Sequence, residues 1–163
     1  MKKKGILFWV TGFSGSGKTT LANKTLNFVI KNYGSTIIVS GDDLRRICKY
    51  EKFDKKSRLQ YALSYSKLCK LITDQGTNVI ISTVSMYHSV RNWNKKNIKN
   101  YLEIYIENTS NNAVNKKKLK KNIVGINIKP ELPKNPDIKI FNNFDKDIKY
   151  LAKELIKKIN LKI

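Results

Sequence analysis

Residues 5–20 read GILFWVTGFSGSGKTT. The apolar run at 5–11 is short, nearly continuous and ends in glycines, which predicts a strand buried on both faces, as in a parallel sheet. Directly behind it, Gly12-Phe13-Ser14-Gly15-Ser16-Gly17-Lys18-Thr19 matches the pattern G-x-x-x-x-G-K-[ST] in full. From about Lys18, Leu21, Thr25, Phe28 and Val29 recur at helical spacing until Asn32-Tyr33-Gly34 supplies a stop. Strand, glycine loop and helix, in that order, are the setting in which this pattern cradles phosphate. Glycines at 12, 15 and 17 let the backbone curl so that successive amides converge on β- and γ-phosphate oxygens, and the helix N-terminus adds positive potential. Lys18 would neutralise the phosphates and the Thr19 hydroxyl would ligate Mg²⁺. The candidate ATP-binding set is therefore Gly12, Ser14, Gly15, Ser16, Gly17, Lys18, Thr19 and Thr20. The structural alternative, a glycine-rich turn followed by a chance Lys-Thr, fits poorly with the strand before it and the helix after it.

Working outward, the chain alternates strands and helices. Strands are predicted at 36–40, 78–83, 101–107 and 137–141; helices at 44–50, 56–74, 87–100 and 145–159. The helix at 56–74 is expected to turn Leu59, Ala62, Leu63, Ser66 and Ile72 inward, and the last helix Ile148, Leu151, Ala152, Leu155, Ile156 and Ile159. Segment 108–123 is polar and lysine-heavy, with Lys116, Lys117, Lys118, Lys120 and Lys121 close together, and is expected to be a mobile lid. The expected fold class is α/β: a mainly parallel five-stranded sheet with helices on both faces and ligands beyond the carboxyl ends of the strands. One such end carries Ser40-Gly41-Asp42-Asp43-Leu44-Arg45-Arg46. Carboxylates there reach the γ-phosphate region, to orient a Mg²⁺ water or accept a proton from an attacking hydroxyl, and Arg45 one turn on could hold an acceptor's oxyanion. A plainer role, Asp42 or Asp43 as a helix N-cap, is compatible with both.

Composition narrows the rest. The 163 residues, 40% hydrophobic and 10% aromatic, suit one domain over 1–163 with a single core. No apolar run approaches the ~18 residues a membrane span needs, and KKKGILFWV is too short for a secretory leader, so a cytoplasmic protein with no membrane partner is expected. Cys48 and Cys69, with no C-x-x-C pair and one histidine in the chain, indicate neither a disulfide framework nor a zinc site. A net charge of +21 suggests an anionic partner. Yet only four of the 33 basic residues are arginine (45, 46, 58 and 91), the lysines are spread along the chain, and Asn occurs 18 times. No RNA-reading motif accompanies them, so nucleic acid is not the expected partner. Where a lysine-loaded chain keeps arginine, a planar fork for phosphate or sulfate becomes the reading to follow.

The motifs taken together resemble the adenylylsulfate kinases, small P-loop kinases that phosphorylate the ribose 3′-hydroxyl of adenosine 5′-phosphosulfate with MgATP. GFSGSGKTT at 12–20 is similar to their nucleotide loop. SGDDLRR at 40–46 is similar to their DGDN[IL]R motif, which puts the family's catalytic Asp at Asp42 and its substrate Arg at Arg45. Phe53 followed by Arg58 resembles the FSxxDR segment. VSMYHSVR at 84–91 resembles ISPYRxxR at Ser85, Tyr87 and Arg91, and EIYIE at 103–107 the fourth-strand segment. VGINIKPELPKNPDI at 124–138 resembles the closing motif TGIDDPYExPxxPEI at Gly125, Ile126, Glu131, Pro133, Pro136 and Ile138. The resemblance implies the three-layer P-loop kinase fold and MgATP as donor. It implies Lys18 and Asp42 as catalytic, Thr19 and Asp42 on the metal, and Asp42, Arg45, Phe53, Arg58, Ser85 and the lid's Lys121 around a small nucleotide acceptor. Ser85 and Arg91 could shape that pocket, with a strand-end hydrogen bond and a surface salt bridge as their plainer alternatives. A homodimer is left open.

Departures from the family cluster on the acceptor side. Where the family continues after Arg58 with an Asn and a further Arg, this chain has Tyr61 and Leu63, and the Phe that stacks on the acceptor adenine is replaced by Ile123 and Val124. A lost stacking ring costs about 1–3 kcal/mol with a purine. The pattern points to an unchanged donor and a different acceptor, a nucleotide whose pyrimidine needs less stacking area. The capsule-assembly branch of the family, which phosphorylates cytidine diphosphoramidate on its 3′-hydroxyl, fits it. Adenylylsulfate itself is the alternative acceptor, and a basic P-loop protein binding polynucleotide is a more distant one.

Overall fold

The computed structural model describes residues 3–108, 124–125 and 128–163. Five strands, β1 (Ile6–Gly12), β2 (Thr36–Ser40), β3 (Asn78–Thr83), β4 (Asn100–Glu107) and β5 (Ile138–Phe141), form one sheet in the order β2-β3-β1-β4-β5, and every pairing is parallel. Five helices connect or follow them: α1 (Lys18–Tyr33), α2 (Gly41–Ile47), α3 (Lys55–Asp74), α4 (His88–Asn97) and α5 (Ile148–Asn160).

Side-chain alternation along β1 explains its unbroken apolar run. Phe8 and Val10 face one side, where Ile80, Ile104, Ile106 and Ile140 join Leu21 and Val29 of α1 and Leu151, Leu155 and Ile159 of α5. Leu7 and Trp9 face the other, against Val79 and Ile81 with Leu44, Ala62, Tyr65, Cys69 and Val90 from α2, α3 and α4. A strand covered on both faces has no polar side to alternate with, so the expected α/β sandwich follows directly. Cys69 belongs to this second core, and burial pushes its thiol up to about 12, while Cys48 is exposed.

Three expected helices begin or end elsewhere. The piece placed at 44–50 starts at Gly41, because the cap is Ser40 and neither aspartate: the Ser40 hydroxyl accepts from the Asp43 amide at 3.1 Å and donates to Asp43 Oδ2 at 2.7 Å. Helix α4 stops at Asn97 and α5 starts at Ile148, behind an Asp147 cap. The buried side of α3 runs through Ser57, Ala62, Tyr65, Ser66, Cys69 and Thr73. Its inward stripe is thus turned toward Tyr65 and Cys69, while Leu59, Leu63 and Ile72 are only partly buried. The expected lid after residue 108, Lys121 and Ile123 included, lies outside the described residues.

Candidate active site

Most of the candidate residues gather at the carboxyl end of the sheet, around a cleft of about 410 Å³. The loop between β1 and α1 forms its floor. Gly17 caps α1 at φ +87°, and a Cβ there would stand 2.5 Å from Asn142 Nδ2, so only glycine suits both the conformation and the space. Lys18, nearly buried, reaches back to the Phe13 carbonyl at 2.6 Å, across the hollow of the loop. Thr19 Oγ1 and Ser82 Oγ are hydrogen-bonded at 3.0 Å, joining the start of α1 to the end of β3. Ser14, Gly15, Gly17, Lys18, Thr19 and Thr20 line the cleft; Gly12 and Ser16 lie buried beneath it.

The turn from β2 into α2 presents Asp42 from the second position of the helix, exposed over the same cleft. Its Oδ1 accepts from Arg45 Nη2 at 2.9 Å. The Arg45 and Arg58 guanidinium carbons lie 5.1 and 5.3 Å from the centre of the Phe53 ring, and Arg58 Nε donates to the Phe53 carbonyl at 2.7 Å. Burial pulls the Arg58 guanidinium below its ordinary value, a shift that neighbouring Tyr87 opposes. Two forked cations and one ring therefore stand opposite the phosphate loop, a chemistry that suits an anionic nucleotide. Tyr61 forms part of this wall, its ring parallel to Tyr50 with centroids 4.0 Å apart.

The structure brings Asp42, Arg45, Phe53, Arg58 and Ser85 together with the loop, as the motifs anticipate. Ser85 is buried there, its carbonyl accepting from Thr11 Oγ1 at 3.4 Å. Arg91 is the exception. It is buried away from the cleft, 3.3 Å from Glu103 Oε1, and donates to the Glu131 carbonyl at 2.6 Å. Neither a pocket residue nor a surface ion pair, it ties the segment around Glu131 to the core, while the Glu131 carboxylate caps α4 at the His88 amide, 2.5 Å away.

Other cleft residues escaped the motif reading. Tyr65 donates to the Gly41 carbonyl at 3.2 Å and so braces the turn that carries Asp42; burial raises its phenol to about 12. It lies seven residues after Arg58 on the expected helix, a spacing that puts both on one face. Ser82, Thr83 and Phe144 line the cleft at or beyond strand ends, with Asn142 buried behind the phosphate loop, and only that position could have singled them out.

A glycine loop feeding a helix, a carboxylate beyond the end of β2, separated from β1 by β3, and a 2-3-1-4-5 parallel sheet define an ATP-dependent phosphotransferase of the P-loop kinase fold. The family model for adenylylsulphate kinase matches residues 4–141, and the chain belongs to that family. A cytidine diphosphoramidate kinase of Campylobacter jejuni subsp. jejuni is 33% identical over 171 residues, covering 99% of this chain and 100% of the relative. An adenylyl-sulfate kinase of Prochlorococcus marinus is 32% identical over 169 residues, covering 96% and 84%. Among solved structures, the Mycobacterium tuberculosis APS kinase in complex with AMPPNP and APS superposes with a TM-score of 0.83 at 22% identity, covering 96% of this chain and 98% of that one. No helix among the described residues is long and apolar enough to cross a membrane.

Proposed function

We propose that this kinase transfers the γ-phosphoryl group of ATP to the ribose 3′-hydroxyl of a small modified nucleotide, and that the acceptor is cytidine diphosphoramidate. A place in the phosphoramidate decoration of a bacterial capsule goes with that acceptor. The observation that carries the choice is Tyr61. Where adenylylsulfate kinases are expected to hold an Asn against their substrate, this chain sets a ring into the cleft wall and fixes it by stacking on Tyr50. Leu63, in place of the further Arg, packs with the second core. The acceptor side has exchanged polar grip for aromatic bulk, which suits a smaller base. The full-length similarity to the Campylobacter enzyme supports the same reading. Adenylylsulfate is the competing acceptor, favoured by Arg45, Phe53 and Arg58, which keep the family pattern.

The geometry supports the following mechanism. Main-chain amides of 12–17 and the Lys18 ammonium hold the donor phosphates and offset charge on the transferred group. Asp42, facing the cleft opposite Lys18, orients the acceptor hydroxyl and takes its proton. Arg45 and Arg58 hold the acceptor's diphosphate-like anion, with Phe53 and Ser85 beside it. Lys121 joins this set on the resemblance alone. The Thr19 hydroxyl and the Asp42 carboxylate, both hard oxygen donors, are the residues that would hold Mg²⁺, an ion bound mainly through phosphates and water. When bound it would neutralise phosphoryl oxygens.

Product analysis tests the proposal. With ATP, Mg²⁺ and cytidine diphosphoramidate, ³¹P NMR should show a new phosphomonoester coupled to the ribose H3′. ADP release without acceptor, or a phosphoryl group on any other atom, contradicts it.

A further inference from the structure

The sheet order separates the two sides of the phosphate loop. The loop follows β1 at the centre; Asp42 and Arg45 follow β2 at one edge, and Asn142 and Phe144 follow β5 at the other. With the acceptor on the β2 side, the nucleoside half of the donor must leave its phosphates toward β5. What stands there is an aromatic ring. Phe144 lines the cleft with Thr20, is 56% exposed, and has φ +64°, a backbone region unfavourable for a residue carrying a Cβ.

One buried side chain holds it so. Asn142 is 2% exposed and uses both ends of its amide: Nδ2 donates to the Ser16 carbonyl at 3.0 Å, and Oδ1 accepts from the Phe144 amide at 3.2 Å. Its own amide donates to the Glu107 carbonyl at 2.9 Å, anchoring the clamp on β4. The same Nδ2 fills the space that a side chain at residue 17 would need. The phosphate loop and the ring are thus coupled through a single rigid residue. A half-exposed aromatic held in a costly conformation beside a nucleotide loop is otherwise unaccounted for by folding.

We propose that Phe144 is the platform on which the base of the donor nucleotide stacks, and that Asn142 is the positioning residue that fixes this platform relative to the phosphate loop. The assignment rests on the reading of that loop as the donor site.

Calorimetric titration of the full chain with Mg-ATP and with Mg-tripolyphosphate, which has the phosphates and no base, separates the two ideas. Phe144→Gly keeps the positive φ without strain and should raise the ATP Kd about tenfold, leaving tripolyphosphate within about twofold. Phe144→Trp should bind ATP at least as tightly as the parent. Asn142→Ala should weaken ATP by no less than Phe144→Gly and raise the ATP KM with the acceptor KM unchanged. Equal losses for both ligands in Phe144→Gly, or no loss for ATP, overturn the platform. A smaller ATP loss in Asn142→Ala than in Phe144→Gly overturns the positioning role. A parent protein that binds neither ligand overturns the donor reading itself.

Discussion

Replacing Arg91 with alanine should cost the fold a large part of its stability while leaving the acceptor site of the folded molecules intact. Arg91 is 4% exposed and Glu103 2%, their charges 3.3 Å apart, and the same guanidinium meets His88 Nδ1 and the Glu131 carbonyl, each at 2.6 Å. Removing one member of a buried pair strands the other, at about 3–5 kcal/mol. A domain of this kind holds about 5–15 kcal/mol in all. Burial raises the Glu103 carboxyl to about 7 from an ordinary 4.5, against the pull of Arg91 and Lys95. A carboxyl raised in the folded state binds its proton more tightly there than in the unfolded chain. Its contribution is therefore fullest below 4.5 and is lost as pH climbs through about 7. Without Arg91 the carboxyl titrates higher still, so the deficit should be greatest near pH ~8 and shrink near pH ~5.5, where Glu103 takes up a proton. Urea unfolding of parent and variant at both pH values measures it, and adding Glu103→Gln should recover stability only at the higher pH. A penalty under about 1 kcal/mol, equal at both pH values, would mean that Arg91 does not stabilise the buried Glu103 carboxylate. A raised acceptor KM with unchanged stability would return Arg91 to the acceptor pocket.

Asp42→Ala should lower turnover by about 10²–10⁴, the usual contribution of a positioned general base, with ATP affinity by calorimetry unchanged; near-normal turnover removes Asp42 from its role. Arg45→Ala and Arg58→Ala should each raise the acceptor KM about tenfold or more, as expected for a lost charged hydrogen bond, and leave the ATP KM alone. Unchanged acceptor KM in both variants contradicts the assignment. Gly17→Ala should cost about 1–2 kcal/mol for its left-handed backbone and abolish tight Mg-ATP uptake by displacing Asn142; a variant that binds ATP like the parent shows that the clash at residue 17 is relieved elsewhere.

Local signals carried most of the architecture. The run at 5–11 and its flanking glycines specify a central parallel strand, and the loop motif specifies what the next helix does, because both depend on short-range chemistry. Helix starts were less legible. Two aspartates in a row after Gly41 advertise a cap, yet Ser40 takes that role by pairing with Asp43 in both directions, which leaves Asp42 turned to the cleft. Burial on α3 follows the packing of Tyr65 and Cys69 on Leu7 and Trp9, a long-range fact that helical spacing alone leaves open by a rotation. Arg91 shows the limit most clearly. Its motif position marks it as notable, but its partner Glu103 lies in β4 and faces the same core only once the sheet is assembled. Asn142 and Phe144 carry no motif at all, and their nearness to the loop arises from β5 lying two strands from β1.

On the proposed function, Tyr61 and its neighbours select a pyrimidine nucleotide as acceptor. Coupled ADP-release rates with cytidine diphosphoramidate and with adenylylsulfate, at equal concentration and below saturation, measure it most directly. The kcat/KM for the cytidine acceptor should be at least about tenfold higher, and Tyr61→Asn should narrow that ratio. A preference of about tenfold or more for adenylylsulfate in the parent enzyme would contradict it.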